Sequence, residues 1–206
     1  MHQLKIIRNC LPGAFMLFMV QVSCSQDLDP AGRKHKNSHF IVAVQFQRLR
    51  STHSQTIYGA SIFFGRQIHS SLTAGIGCEV SYVERLYTHN KSFNIFYFRP
   101  IPIYGEVRFI SQRNSRFVPY AHLATGMSSI TYHLQRYDPI IGSVQHKNVY
   151  QYGFFVNVGF GLLFSVTKHI APSIGVSFKG FHISGNPYEI NPHGITLQAG
   201  VVWRPD

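Results

Sequence analysis

Eight runs of alternating apolar and polar residues, separated by turn-forming stretches, predict an all-β chain: an eight-stranded antiparallel up-and-down transmembrane β-barrel. Three observations carry this expectation. The 206 residues are only 13% charged but 14% aromatic, with 17 Gly, 17 Phe and 11 Tyr, a composition that suits packed strands better than helices. Each run has one strongly apolar face and one face of small or polar residues, and the connections between runs alternate short and long.

The first 25 residues read as a segment removed on export. Lys5 and Arg8 form a positive start, 11–22 is an apolar run too short to span a bilayer, and Ser23, Cys24 and Ser25 supply small residues for cleavage before Gln26. Lipidation at Cys24 is the alternative, although Gln21 stands where an aliphatic residue is usual. Of the three cysteines only Cys78 then remains, so no internal disulfide staples the mature chain. Residues 26–38 (QDLDPAGRKHKNS) form a polar lead-in without period, and 39–206 is the barrel.

In the first strand, from His39, Phe40, Val42, Val44 and Phe46 alternate with Ile41, Ala43, Gln45 and Gln47. The second, 56–64, has Tyr58, Ala60, Ile62 and Phe64 in phase. The third, 71–82, sets Leu72, Ala74, Ile76, Cys78, Val80 and Tyr82 against Thr73, Gly75, Gly77, Glu79 and Ser81. In the fourth, 101–109, Pro100 and Pro102 predict irregular pairing at the start, because proline cannot donate to a ladder. The fifth, 117–132, alternates Ala121, Leu123, Thr125 and Met127 with His122, Ala124, Gly126 and Ser128. The sixth alternates Phe154, Val156, Val158, Phe160, Leu162 and Phe164 with glycines and Asn157. The seventh and eighth are the hairpin within 170–203, closed by a turn rich in Asn, Pro and Gly.

Connections 65–70, 111–116 and 165–169 are short, whereas 48–55, 83–90, 133–148 and 185–193 are long. Short turns at one end and long loops at the other, on an even number of strands, point to the cell outer membrane. Tyr82, Phe109, Tyr132, Phe164 and Trp203 lie near strand ends, where interfacial girdles belong. A soluble lipocalin-like barrel is the competing architecture, but it calls for larger apolar residues on the inner face. Glu79, Glu106 and Arg108 are expected inside, as a polar network filling the lumen.

The net charge of +11 is spread singly along the chain, with no basic and aromatic stretch of a nucleic-acid motif, so nucleic acid is not an expected partner. A polyanionic membrane surface suits the same charge. The 12 histidines are dispersed, His35 and His39 fall in the lead-in, and no Cys/His spacing suits zinc. No phosphate-binding glycine loop opens a helix, and Gly159 and Gly161 lie within a strand. Neither a metal nor a cofactor is expected.

One pair carries chemistry by its phase. Counting in twos from Ile174, Val176 and Phe178 through Gly180 leads to His182 and Ser184, so these share the lipid-facing side near the long-loop end. A hydroxyl with an imidazole two residues away is a nucleophile and base aimed at lipid. The stretch GVSFKGFHISGNPYEINPHGITLQAGVVW, with His182-Ile183-Ser184, Asn191-Pro192 and Gly194-Ile195, resembles the outer-membrane lipid A deacylases, also called acyloxyacyl hydrolases. The resemblance is specific over about 182–195. It implies His182 as general base, Ser184 as nucleophile, and support from the stretch after the serine, here Gly185 and Asn186, and from Asn191 and Thr196. The chain departs from the pattern in two places. Gly185 stands where the family has Asn, with Asn186 one place late, and Thr196 replaces the acidic residue that orients the histidine. Glu189 and His193 are the local substitutes.

The resemblance implies hydrolysis of an acyl ester of outer-leaflet lipid A, a membrane lipid partner and no cofactor. A non-catalytic barrel with a structural or adhesive role, working through the basic 136–147 stretch, is the alternative.

Overall fold

The computed structural model describes residues 40–52, 55–86, 93–111, 116–138, 143–183 and 191–205, with the side chains of 93, 137 and 138 excluded. The export segment, Cys24 and the polar lead-in lie outside the described residues. Eight strands run in order: β1 (Phe40–Ser51), β2 (Thr56–His69), β3 (Leu72–Leu86), β4 (Phe93–Ile110), β5 (Phe117–Asp138), β6 (Ser143–Phe164), β7 (Ile170–Ile183) and β8 (His193–Trp203). Each pairs antiparallel with its neighbours in sequence, and β8 closes on β1, as in Phe46↔Ala199. The fold is an all-β, eight-stranded up-and-down closed barrel.

Burial alternates strictly along β1, with Ile41, Ala43, Gln45, Gln47 and Leu49 buried and Phe46, Arg48 and Arg50 exposed. The same phase around the ring leaves Phe46, Ile76, Ile103, Phe160 and Leu197 exposed on the outside. An apolar exterior on this scale is the surface of a barrel surrounded by lipid.

The lumen is filled. One apolar cluster, including Leu49, Ile95, Phe98, Ile130, Phe155 and Phe181, occupies the end reached by the tips of β5 and β6. A second, including Ile41, Phe63, Val118, Tyr120 and Val202, occupies the other. Between them lies a polar layer. Lys179 Nζ donates to both Glu79 carboxylate oxygens at 2.8 Å and to Gln47 Oε1. Arg108 pairs with Glu106 and lies 4.4 Å over the Phe63 ring. The expected interior carboxylates and Arg108 are therefore inside, and Lys179 joins them. Glycine makes room for the large rings: a Cβ on Gly77 would fall 2.5 Å from the Tyr104 ring.

The structure alters three sequence expectations. Tyr132 is not part of a girdle. It lies on the inner phase of β5, 1% exposed, and donates to Gln151 Oε1 at 3.0 Å. Being near an expected strand end was not enough, because phase sends it inward and β5 continues six residues beyond it. Secondly, β4 starts at Phe93, and β5 and β6 each run 22 residues, so most of the expected long connection 133–148 is strand. The outer ends of these strands lack the apolar alternation because no lipid demands it there; the ladder 136↔145 holds them instead. Thirdly, the prolines disturb one side only. The pairs with β3 are interrupted between Cys78↔Ile103 and Val83↔Phe98, the stretch holding Pro100 and Pro102, and resume in the same register, while both prolines keep partners on β5.

Candidate functional site

His182 is the penultimate residue of β7. It follows Ile174, Val176 and Phe178 on the outer phase, is exposed, and stands opposite Phe154 of β6. The expected lipid-facing orientation of the imidazole is therefore the observed one. Ser184, Gly185, Asn186 and Glu189 lie outside the described residues.

The start of β8 is tied to the end of β7 around this histidine. Asn191 Oδ1 accepts from the Ile183 amide at 2.9 Å, and the Phe181 amide donates to the Pro192 carbonyl at 3.0 Å. Asn191 thus fixes the backbone between His182 and position 184, extending the ladder past Gly180↔His193. This one side-chain bond limits the drift of the backbone at the residue that follows His182.

His193 also shows its ring on the outer phase, beside Phe178 at 6.2 Å between centroids. Both of its nitrogens are engaged. Nδ1 lies 2.8 Å from the Asn191 carbonyl, and Nε2 lies 3.3 Å from Thr52 Oγ1. A carbonyl only accepts, so Nδ1 carries the proton and, in the neutral ring, the Thr52 hydroxyl donates to Nε2. The Thr52 amide also donates to the His193 carbonyl at 3.0 Å. His193 therefore locks the seam between β8 and the end of β1 and has no nitrogen left to orient His182.

Thr196 faces the lumen, 0% exposed, opposite Leu49 on one side and Ser177 on the other. It stands on the opposite side of the wall from His182. Among the described residues the carboxylates of Glu79 and Glu106 also face inward, and Glu84 sits on β3, four strands from β7. None of these three orients the imidazole.

Two features escaped sequence reasoning. Lys179 lies on the inner phase of β7, in step with Ser177, and that phase was the available signal. The other is a bulge in β4. Phe96 pairs with His133 and Arg99 with Thr131, so Tyr97 and Phe98 together oppose the single residue Tyr132. Tyr97 takes a φ of 54° there. No sequence signal marks it, since a bulky residue rarely adopts that conformation.

The comparisons with known proteins agree on the fold. The chain is similar to a major outer membrane protein from Thermus thermophilus, at 7% identity and a TM-score of 0.58, over 82% of this chain and 100% of that one. It is also similar to the outer membrane enzyme PagL, at 12% identity and 0.49 over 79% and 97% of the two chains. Neisserial surface protein A matches at 15% and 0.47 over 82% and 97%. Of these three, the Thermus protein alone has a TM-score above 0.5, and at 7% identity that likeness speaks to the fold alone. No protein-family model and no curated protein matches the chain.

Proposed function

We propose that the chain is exported by its first 25 residues to the outer membrane and hydrolyses an acyl ester of an outer-leaflet lipid of the lipid A type, with His182 as base and Ser184 as nucleophile. The observation that supports this reading is the outward, exposed imidazole of His182 at the end of β7, on the apolar face of the wall and two residues before a serine. In this reading Ser184 Oγ attacks the ester carbonyl while His182 takes its proton. The proton then passes to the departing sugar hydroxyl, and water, deprotonated by the same imidazole, releases the fatty acid and restores the serine. Gly185 and Asn186 are the proposed contributors to the oxyanion site. Asn191 acts through the backbone that it holds. Among the described residues no acid stands beside His182, and a histidine without an orienting acid acts more weakly.

Mass spectrometry of lipid A from cells expressing the wild type, Ser184→Ala or His182→Ala tests the reading. Loss of one ester-linked chain in the wild type alone supports it; the same acyl pattern in all three overturns it.

A second reading, a non-catalytic barrel with an adhesive role, is favoured by one observation. β6 extends ten residues beyond its last pair with β7, and the β5–β6 hairpin carries Arg136, His146 and Lys147. An unchanged acyl pattern, with cell attachment lost on shortening that hairpin, would point to this reading.

A further inference from the structure

The bulge in β4 builds a cleft on the outer face of the tall β4–β5–β6 wall. Its volume is about 320 Å³, and its walls include Tyr97, Arg99, Thr131, His133, Asn148 and Tyr150. Pairing explains why these side chains converge. Arg99, Thr131 and Tyr150 form one row across the three strands, and His133 and Asn148 belong to the next. Tyr97 is the extra residue between the rows. Inside the barrel, Ile95 and Phe98 are both fully buried although three residues apart, so Phe96 and Tyr97 are both left outside.

Two properties distinguish the cleft from an ordinary interfacial girdle. A girdle tyrosine needs only a regular outward position, whereas Tyr97 is held at φ 54°, a conformation costly for a bulky residue and often kept for function. The bulge aims this ring at the cleft, edge-on to His133 at 5.4 Å and 76°. Tyr97 and Tyr150 are also 52% and 75% exposed, which leaves much of each ring open to a ligand. Beside them stands Arg99, which makes no ion pair among the described residues.

We propose that this cleft binds a phosphorylated sugar. Exposed aromatic faces pack against the C–H face of a pyranose, Thr131 and Asn148 offer partners for its hydroxyls, and a guanidinium without a carboxylate partner takes phosphate in a two-pronged bond. The nearby Lys147 and Arg136 add positive charge to the same hairpin. Such a sugar reaches the cleft either as the headgroup of an outer-leaflet glycolipid or as a free saccharide. Along β6, Tyr150 is four residues beyond Phe154, the partner of His182, which is about 13 Å at the usual rise per residue. The proposal does not depend on Ser184 or on ester hydrolysis.

The test is calorimetry on the full barrel in nanodiscs. The titrant is the lipid-free phosphorylated core oligosaccharide of lipopolysaccharide, before and after phosphatase treatment. The wild type is expected to bind the phosphorylated form at least about tenfold more tightly than the dephosphorylated form. Arg99→Gln and Tyr150→Ala are each expected to weaken it about tenfold, and Arg66→Gln, at the far end of β2, to leave it unchanged. Tyr97→Gly separates folding from binding. Glycine relieves the positive φ, so this variant is expected to be at least as stable as the wild type while losing affinity. Nanodiscs loaded with intact glycolipid distinguish the sources: competition with the titrant identifies the headgroup, and no competition identifies a free saccharide. Absence of saturable binding, or binding indifferent to phosphate or to Arg99, Tyr97 and Tyr150, overturns the proposal.

Discussion

On β7, Lys179 and His182 stand three residues apart on opposite sides of one wall. Lys179 points into the lumen, 1% exposed, with Glu79 and Gln47 around its ammonium group. His182 points out among apolar side chains at the rim. A buried charge is tolerable only when it is fully paired, so the inner residue is bound to structure. An imidazole at the interface costs little and is available to react. One strand thus separates a buried, paired polar group from an exposed one by its twofold period alone.

That contrast can be broken from either side. The largest effect is expected from Lys179→Met, which leaves the Glu79 carboxylate buried without its ammonium partner. A loss of about 3–5 kcal/mol in urea unfolding of the detergent-bound barrel is expected. Adding Glu79→Met should recover most of it, because two apolar side chains then meet; failure to recover would show that the pair also fixes the geometry. For the outer residue the expectation is reversed. His182→Ala should reduce ester hydrolysis about a hundredfold, measured as fatty acid released per folded protein, and shift the unfolding midpoint hardly at all.

Smaller effects sharpen the boundary. Thr52→Val removes the hydroxyl on His193 Nε2 and should cost about 1 kcal/mol of stability, with a change in hydrolysis of no more than a few-fold. A hundredfold loss of hydrolysis would instead make His193 part of the reacting group. The smallest effect is expected from Thr196→Val. Its buried Oγ1 has no hydrogen-bond partner among the described residues, so a methyl in its place should be neutral or slightly stabilising. Hydrolysis should be untouched; if it falls sharply, Thr196 supports the site through the wall.

Much of the barrel was legible because burial in a strand follows a period of two. Phe40 to Gln47 and Leu72 to Tyr82 show their faces in sequence, and the outward direction of His182 followed from counting back to Ile174. Where lipid no longer imposes alternation the reading failed. The upper halves of β5 and β6 read as loop, although the ladder continues to Asp138↔Ser143. Tyr132 departs from the girdle for a related reason: nearness to a strand end does not set which way a side chain points, and the phase does.

Along the regular stretches of the strands the sequence by itself determined which side of the wall a residue takes, because side-chain direction is local and repeats every two residues. Only the tertiary structure decided which residues from different strands meet. Lys179 reaches Glu79 because the ring closes across the lumen over 100 residues of chain. Tyr97 turns outward because β4 carries one more residue than β5 between two fixed pairs. Contacts of that kind depend on register between strands, and register is a property of the assembled sheet.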